Sequence, residues 1–202
     1  MNRVKENREV LSKGQEFLAK QIDKDKNDHK IEGYYNGKYY FGTGASLNRV
    51  NVEAELDNDA MIENADGIFD KFVVNKTVAV CVNTKEFLNM LKAFNAGKVN
   101  YAYVEVKGNH LVMENDLPKG LMSLKSNLEI IDGMYDNEPD KGFQYKQLYD
   151  VKKLLRIVNA LNKDKHYDLT LNINNTKSYG PDSSLYITSG NFEGILMNVR
   201  RY

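Results

Sequence analysis

The chain has a single cysteine, Cys81, and no tryptophan. One thiol excludes an intramolecular disulfide framework and a multi-cysteine zinc site. Such sparing use of cysteine suits a reducing cytoplasm. Histidine is scarce too. His29, His110 and His166 stand far apart in turn-like contexts, which indicates neither a metal cluster nor a histidine-based triad. No apolar run approaches the ~18 residues of a membrane span, and TVAVCV at 77–82 is among the longest. The opening MNRVKENREVLSKGQEFLAK is too charged for a signal peptide. An excess of either charge is also missing, because 28 basic side chains cancel 28 acidic ones. The whole molecule therefore exerts no long-range pull on nucleic acid. These absences lead to the expectation of a soluble cytoplasmic protein with no cofactor and no membrane contact, and they make an enzyme the least favoured class.

What is present is a globular composition with 42% hydrophobic residues, far above the disordered range. At 202 residues the chain is long enough to fold without staples. Charge is unevenly spread. From Asn51 to Asp70 there are seven carboxylates and no Lys or Arg. Lys146, Lys152, Lys153, Arg156 and Lys163 crowd a later stretch in which Asp150 is the only acid before Asp164. A neutral molecule with segregated charge can hold DNA at one face.

Periodicity predicts a helix over 3–23, on Val4, Leu11, Leu18 and Ile22, although Gly14 weakens it. Asn36-Gly37 between tyrosine pairs predicts a β-hairpin. RVNVEAEL at 49–56 alternates as a strand, and the acidic stretch after it reads as loop, either throughout or with a short helical turn. FVVNKTVAVCV then gives a strand, Thr84 a cap, and Phe87, Met90, Leu91 and Phe94 one face of a helix stopped by Gly97. A second hairpin turns at Lys107-Gly108-Asn109, and LMSLKSNLEII at 121–131 is a further strand. The turn-rich DGMYDNEPDKG reads as a boundary between halves. Residues 146–162 form a strongly amphipathic helix, followed by HYDLTLNI, SSLYITSG and FEGILMNVRRY as three strands. The order strand, helix, several strands thus occurs twice, at 72–131 and 142–202, and the N-terminal part resembles a degenerate third copy.

At these residues the chain resembles the bacterial DNA polymerase sliding-clamp family (β clamp, or processivity factor). FQYKQLYDVKKLLRIVNAL, followed by SLYIT and GILMNVR, is similar to the last half-domain of that clamp. VAVCVNTKEFLNMLKAF followed by YVEVKGNHLVMEND is similar to the opening half of a clamp domain. The resemblance implies an α+β fold: one DNA-clamp-like domain at 72–202, made of two strand-helix-strands halves. Residues 1–71 then form an N-terminal helix and β-hairpin extension, or a degenerate half-module. Bacterial members carry three such domains per chain, whereas this chain matches one. Encircling DNA would therefore require self-association into a homo-oligomer. The family's tail motif has proline where this chain reads Met197-Asn198-Val199-Arg200.

The implied function is non-catalytic: sequence-independent DNA binding together with a DNA polymerase or other replication protein. A clamp lining needs cationic side chains that attract phosphates and read no base. A helical wheel puts Tyr149, Lys153, Arg156, Ala160 and Lys163 opposite the apolar stripe of the second helix, with Lys152 and Asn159 at the flank. On the first helix it leaves Lys85, Asn89 and Lys92 outward. The expected DNA-binding set is thus Lys85, Lys92, Lys152, Lys153, Arg156 and Lys163, and reversing Lys153 and Arg156 is expected to abolish DNA association with the fold intact. The plain alternative is a pair of ordinary solvated helix faces. The resemblance also implies a partner-peptide groove at Ile195, Met197, Val199 and Arg200, against the alternative of a strand packed on the core. Two other readings stand beside the leading one. The first is a clamp-fold inhibitory or partner-binding protein, of phage or mobile-element type, whose acidic 51–70 stretch mimics DNA or masks the basic helices. The second is a single-strand DNA binder that stacks bases on the tyrosine hairpin. GTGAS at 42–46 lacks the Gly-Lys-Ser/Thr of a phosphate loop, and Asp57, Asp59 and Glu63 lack the glycine of a calcium loop.

Overall fold

Two strands that each run straight into a capped helix organise the molecule. The computed structural model describes residues 8–25, 29–53, 56–59, 62–73, 78–116, 123–134, 146–173 and 184–199. A 3-10 turn at Arg8–Val10 precedes α1 (Lys13–Ile22), β1 (Lys30–Tyr35), β2 (Lys38–Thr43), β3 (Ser46–Asn51) and α2 (Glu63–Val73). The first half of the repeat is β4 (Val78–Asn83), α3 (Thr84–Ala96), β5 (Tyr101–Lys107), β6 (His110–Asn115), β7 (Lys125–Glu129) and β8 (Asp132–Met134). The second is β9 (Gln147–Asp150), α4 (Val151–Lys163), β10 (Asp168–Ile173), β11 (Leu185–Ser189) and β12 (Phe192–Leu196).

From the cap to the start of the next strand the halves match at an offset of 67, which relates Asn83 to Asp150, α3 to α4, and Tyr101 of β5 to Asp168 of β10. Asn83 caps α3 by accepting from the Lys85 and Glu86 N–H groups, and Asp150 caps α4 by accepting from Lys153 N–H. Thr84, the expected cap, is instead the first helical residue and is fully buried. Past the helix ends, Lys98 (φ 58°) and Lys165 (φ 61°) both adopt the left-handed conformation that terminates a helix.

Each half lends its leading strand to the other. β4 leads α3 yet pairs with β10, and β9 leads α4 yet pairs with β5. The resulting antiparallel sheets are β7-β6-β5-β9 and the larger β1-β2-β3-β12-β11-β10-β4-β8. The N-terminal strands join the larger sheet where β3 meets β12, with Arg49 opposite Glu193 and Leu47 opposite Ile195.

Side-chain alternation shows which face carries what. On β2, Tyr39 and Phe41 point into the main core with Leu18 of α1, Phe87, Leu91 and Phe94 of α3, and Leu154, Val158 and Leu161 of α4. Tyr40 points the other way, into a second cluster with Ile62, Ala65, Phe69, Leu47 and Ile195. Helices α1, α3 and α4 therefore share one side of the larger sheet, and α2 lies on the opposite side. Among the described residues, no helix is long and apolar enough to cross a membrane.

Several boundaries differ from expectation. The acidic stretch forms α2 because Ile62, Ala65 and Phe69 fall on one helical face, a stripe that the surrounding carboxylates obscure in the sequence. β3 begins earlier than 49, since Gly44 and Ala45 turn the chain directly out of β2. The strand expected at 121–131 splits: Ile131 N–H bonds to Cys81 C=O (2.9 Å), and the chain crosses between sheets. Leu121, Met122 and most of the DGMYDNEPDKG boundary lie outside the described residues. Of the helix expected over 3–23, residues 3–7 lie outside the described residues, Arg8–Val10 forms a 3-10 turn, and α1 begins at Lys13 after Ser12, whose side chain and Gln15 form a capping box.

Gly14 sits where α1 crosses α4. A Cβ there would stand 2.1 Å from Ala160 C=O and 2.6 Å from the Asp164 carboxylate. Backbone cannot yield as a flexible side chain does, so Gly14→Ala is expected to destabilise the protein by about 1–3 kcal/mol. Urea unfolding followed by circular dichroism measures it.

Candidate nucleic-acid interface

Helix α4 lies between α3 and α1, packed against both. On this layer Lys85, Lys92 and Lys152 are exposed. Lys85 and Lys152 are related by the 67-residue offset, each in the first turn of its helix. A cation there opposes the helix dipole, so neither lysine is placed for helix stability. Lys98 and Lys165, also exposed, stand at the opposite ends of the two helices, where the dipole welcomes them. A wheel drawn for each helix separately misses this second pair, although the same offset in the sequence reveals it. Segments 84–98 and 151–165 carry only Glu86 and Asp164 as acids, and Asp164 accepts from Ser12 Oγ and from Gly14 N–H (2.7 Å).

The remaining expected DNA ligands are drawn into contact with α1. Arg156 Nη1 lies 2.7 and 2.8 Å from the two Asp25 carboxylate oxygens. Lys153 is half-buried in the same seam, beside Leu18, Ile22 and Asp25. Lys163 Nζ is exposed but stands 4.7 Å above the Phe17 ring. Ala160, placed outward by the wheel, is buried beneath Gly14. A wheel knows one helix and its stripe. It cannot anticipate a second helix laid across the polar side at an Ala–Gly contact.

The tail residues have a different setting. Ile195 is buried and Met197 half-buried under α2, in the cluster built on Phe69. Val199 N–H bonds to Leu148 C=O (2.8 Å) on the outer edge of β9. Arg200 lies outside the described residues. The place expected to hold a partner peptide is occupied by the chain's own helix.

Arg49 ties that helix down. Its Nη1 is 2.9 Å from Asp66, its Nη2 is 2.8 Å from Glu193, and its guanidinium stacks 4.2 Å from the Phe69 ring centre. Tyr40 OH donates to Asp66, and Tyr186 OH to Glu193 at 2.5 Å. Burial pushes the Glu193 carboxyl upward, but hydrogen bonds from Arg49 and Tyr186 outweigh it and hold the group below the ordinary glutamate value. For Asp66, burial is likewise overcome by the Tyr40 hydrogen bond and the charges of Lys38 and Arg49, leaving a net lowering. Of Tyr35 and Tyr40, the pair on which base stacking would rest, Tyr40 is fully buried and Tyr35 is half-buried against the same cluster. Of the acids on α2, Glu63 and Asp70 are exposed on the far side of the sheet from α3 and α4, and they cannot mask the lysines there.

Comparison with solved structures follows this architecture. The chain is similar to the beta subunit from DNA polymerase of Streptococcus pyogenes, with a TM-score of 0.50 and 13% identity over 81% of this chain and 42% of that one. It is also similar to the DNA polymerase III subunit beta of Pseudomonas aeruginosa, with a TM-score of 0.60 and 8% identity over 93% of this chain and 65% of that one. The chain thus spans about two-fifths to two-thirds of the length of these proteins. No family model and no curated protein matches the sequence. The α+β fold with its two strand-helix-strands halves is that of a sliding clamp.

Proposed function

From the sliding-clamp fold we propose that this protein is non-catalytic and binds duplex DNA through its phosphates, on the exposed side of α3 and α4. In this role it acts as, or modulates, a polymerase processivity factor. One observation carries the reading: exposed lysines recur at equivalent positions in the two halves, Lys85 with Lys152 and Lys98 with Lys165, while the acids of α2 occupy the opposite side of the sheet. Unreactive cations spaced along adjacent helices suit a backbone that must be held without being read. Lys92 adds to the same surface. Lys153, Arg156 and Lys163 contribute through the seam with α1, as flanking charge.

A replication partner would meet the protein at the β12 tail, around Ile195, Met197, Val199 and Arg200. Since α2 covers Ile195, a partner peptide there would compete with α2 for the same apolar surface.

The test is binding of mixed-sequence duplex DNA over a salt series. We expect weak, sequence-independent binding whose affinity falls steeply with salt, with a slope of log K against log[salt] of about −3 to −5, near −0.9 per phosphate neutralised. No binding at ~25 mM salt, where counterion release is most favourable, would end the proposal.

A further inference from the structure

Where α1 meets α4 lies a small cavity of about 10 Å³, bordered on the sheet side by Thr43 and Ser46. That is room for one water-sized occupant and no more. We infer that its occupant is a single chloride-sized anion, held by Thr43, Ser46, Lys153 and Arg156.

The two hydroxyls create the need for an occupant. Thr43 and Ser46 stand directly opposite each other on the β2–β3 ladder. By alternation they share the face of Phe41 and Val50, which carry the main core. Their exposures are only 2% and 8%. Among the described residues, Thr43 Oγ1 accepts from Ala45 N–H at 3.2 Å and donates to no group, and Ser46 Oγ makes no hydrogen bond. A buried hydroxyl that donates to nothing costs free energy, so both protons require an acceptor in the cavity.

The charges decide which acceptor fits. Arg156 Nη1 lies 2.7 and 2.8 Å from the two oxygens of Asp25, which satisfies that carboxylate and leaves the other guanidinium nitrogens for a further acceptor. Lys153 borders the same cavity. Two cations against one carboxylate leave a surplus positive charge. Water balances this wall poorly. It accepts about two hydrogen bonds and must place two protons of its own, whereas hydroxyl, ammonium and guanidinium groups all come as donors. A halide accepts from every one of them and cancels the surplus. Leu18 and Ile22 complete the wall with apolar surface, which lowers the local dielectric and strengthens these attractions. Sulfate and phosphate exceed the space. The site joins the β2–β3 turn to α4 beside α1, so it exists only in the folded chain and its ligand stabilises that state.

The test compares urea midpoints of the full chain in chloride and in gluconate at constant ionic strength, without DNA. With a Kd on the order of 10 mM, going from ~1 to ~300 mM chloride should raise the folded-to-unfolded ratio about thirtyfold. Gluconate is too large for the cavity and should have no such effect. The double variant Thr43→Val, Ser46→Ala removes both hydroxyl donors with little change in volume, and it should lose the chloride dependence. Chlorine-35 NMR reads the same site in the wild-type protein as excess line width that bromide displaces. Lys153→Met should abolish that line width, which keeps the inference testable if the double variant fails to fold. Equal stability in the two salts, or a chloride effect and line width that persist in the variants, overturns it. None of these outcomes depends on DNA binding.

Discussion

The triple variant Lys85→Glu, Lys92→Glu, Lys152→Glu is expected to lose duplex binding at low salt, by at least ~100-fold, while retaining its thermal midpoint. Each lysine is exposed and has no carboxylate partner in the ion pairs of the described residues, so reversal breaks no ion pair among them. Lys85 and Lys152 even oppose the dipoles of their helices, and their replacement by glutamate should favour α3 and α4 slightly. Each phosphate left without its lysine should lower the salt slope by about one, so removing three should bring it from about −3 to −5 down to about 0 to −2. Lys71→Glu is the control: this lysine is exposed on α2, across the sheet from the helices, and its reversal should leave affinity within about twofold. Fluorescence anisotropy with a labelled duplex at several salt concentrations measures both. Equal losses in triple variant and control would mean that net charge, not this surface, governs binding. Reversing Lys153 and Arg156, the choice suggested by the sequence, confounds the question, because Arg156→Glu sets a carboxylate against Asp25 and loosens α1 from α4.

Arg49→Met should cost about 3 kcal/mol at neutral pH, the largest stability loss expected of a single substitution at the β3–β12 junction. It leaves Asp66 and Glu193 as half-buried carboxylates deprived of their shared cation. The sign of the pH effect follows from the lowered pKa of both acids. A carboxylate with a depressed folded-state pKa contributes stability that is present above its unfolded value, near pH 4, and lost as pH falls through the folded value. Wild-type stability should therefore drop on acidification below about pH 4. In Arg49→Met the share of that contribution due to Arg49 is gone while the Tyr40, Lys38 and Tyr186 shares remain, so its curve is flatter and the gap between the two proteins narrows toward pH ~3. Urea midpoints between pH 3 and 7 test this. Parallel curves would show that the ion pairs add nothing and that Arg49 acts by packing on Phe69 alone.

Much of the fold was legible because local chemistry and global arrangement agree there. Asn36-Gly37 turned the hairpin and the order of elements carried the clamp resemblance, whereas the helix expected over 146–162 begins only at Val151, because Gln147–Asp150 pairs with β5 as the strand β9. What escaped was held by contacts between distant residues. α2 hid because three apolar side chains, Ile62, Ala65 and Phe69, had to outvote a surrounding run of acids, and only the far face of the sheet gives them a partner. The lysine surface was half legible: α3 offered Lys85 and Lys92 as expected, whereas α4 kept Lys152 clear and turned Lys153, Arg156 and Ala160 toward α1.

The sequence by itself determined the two αβ halves and the exposed lysines near the helix starts, since these depend on neighbours a few residues away. Tertiary structure alone decided that each half pairs its leading strand with a strand of the other, that α1 covers one flank of α4, and that α2 fills the surface beside β12. Those outcomes turn on which strand edges and helix faces meet across the chain, and no local propensity encodes such meetings.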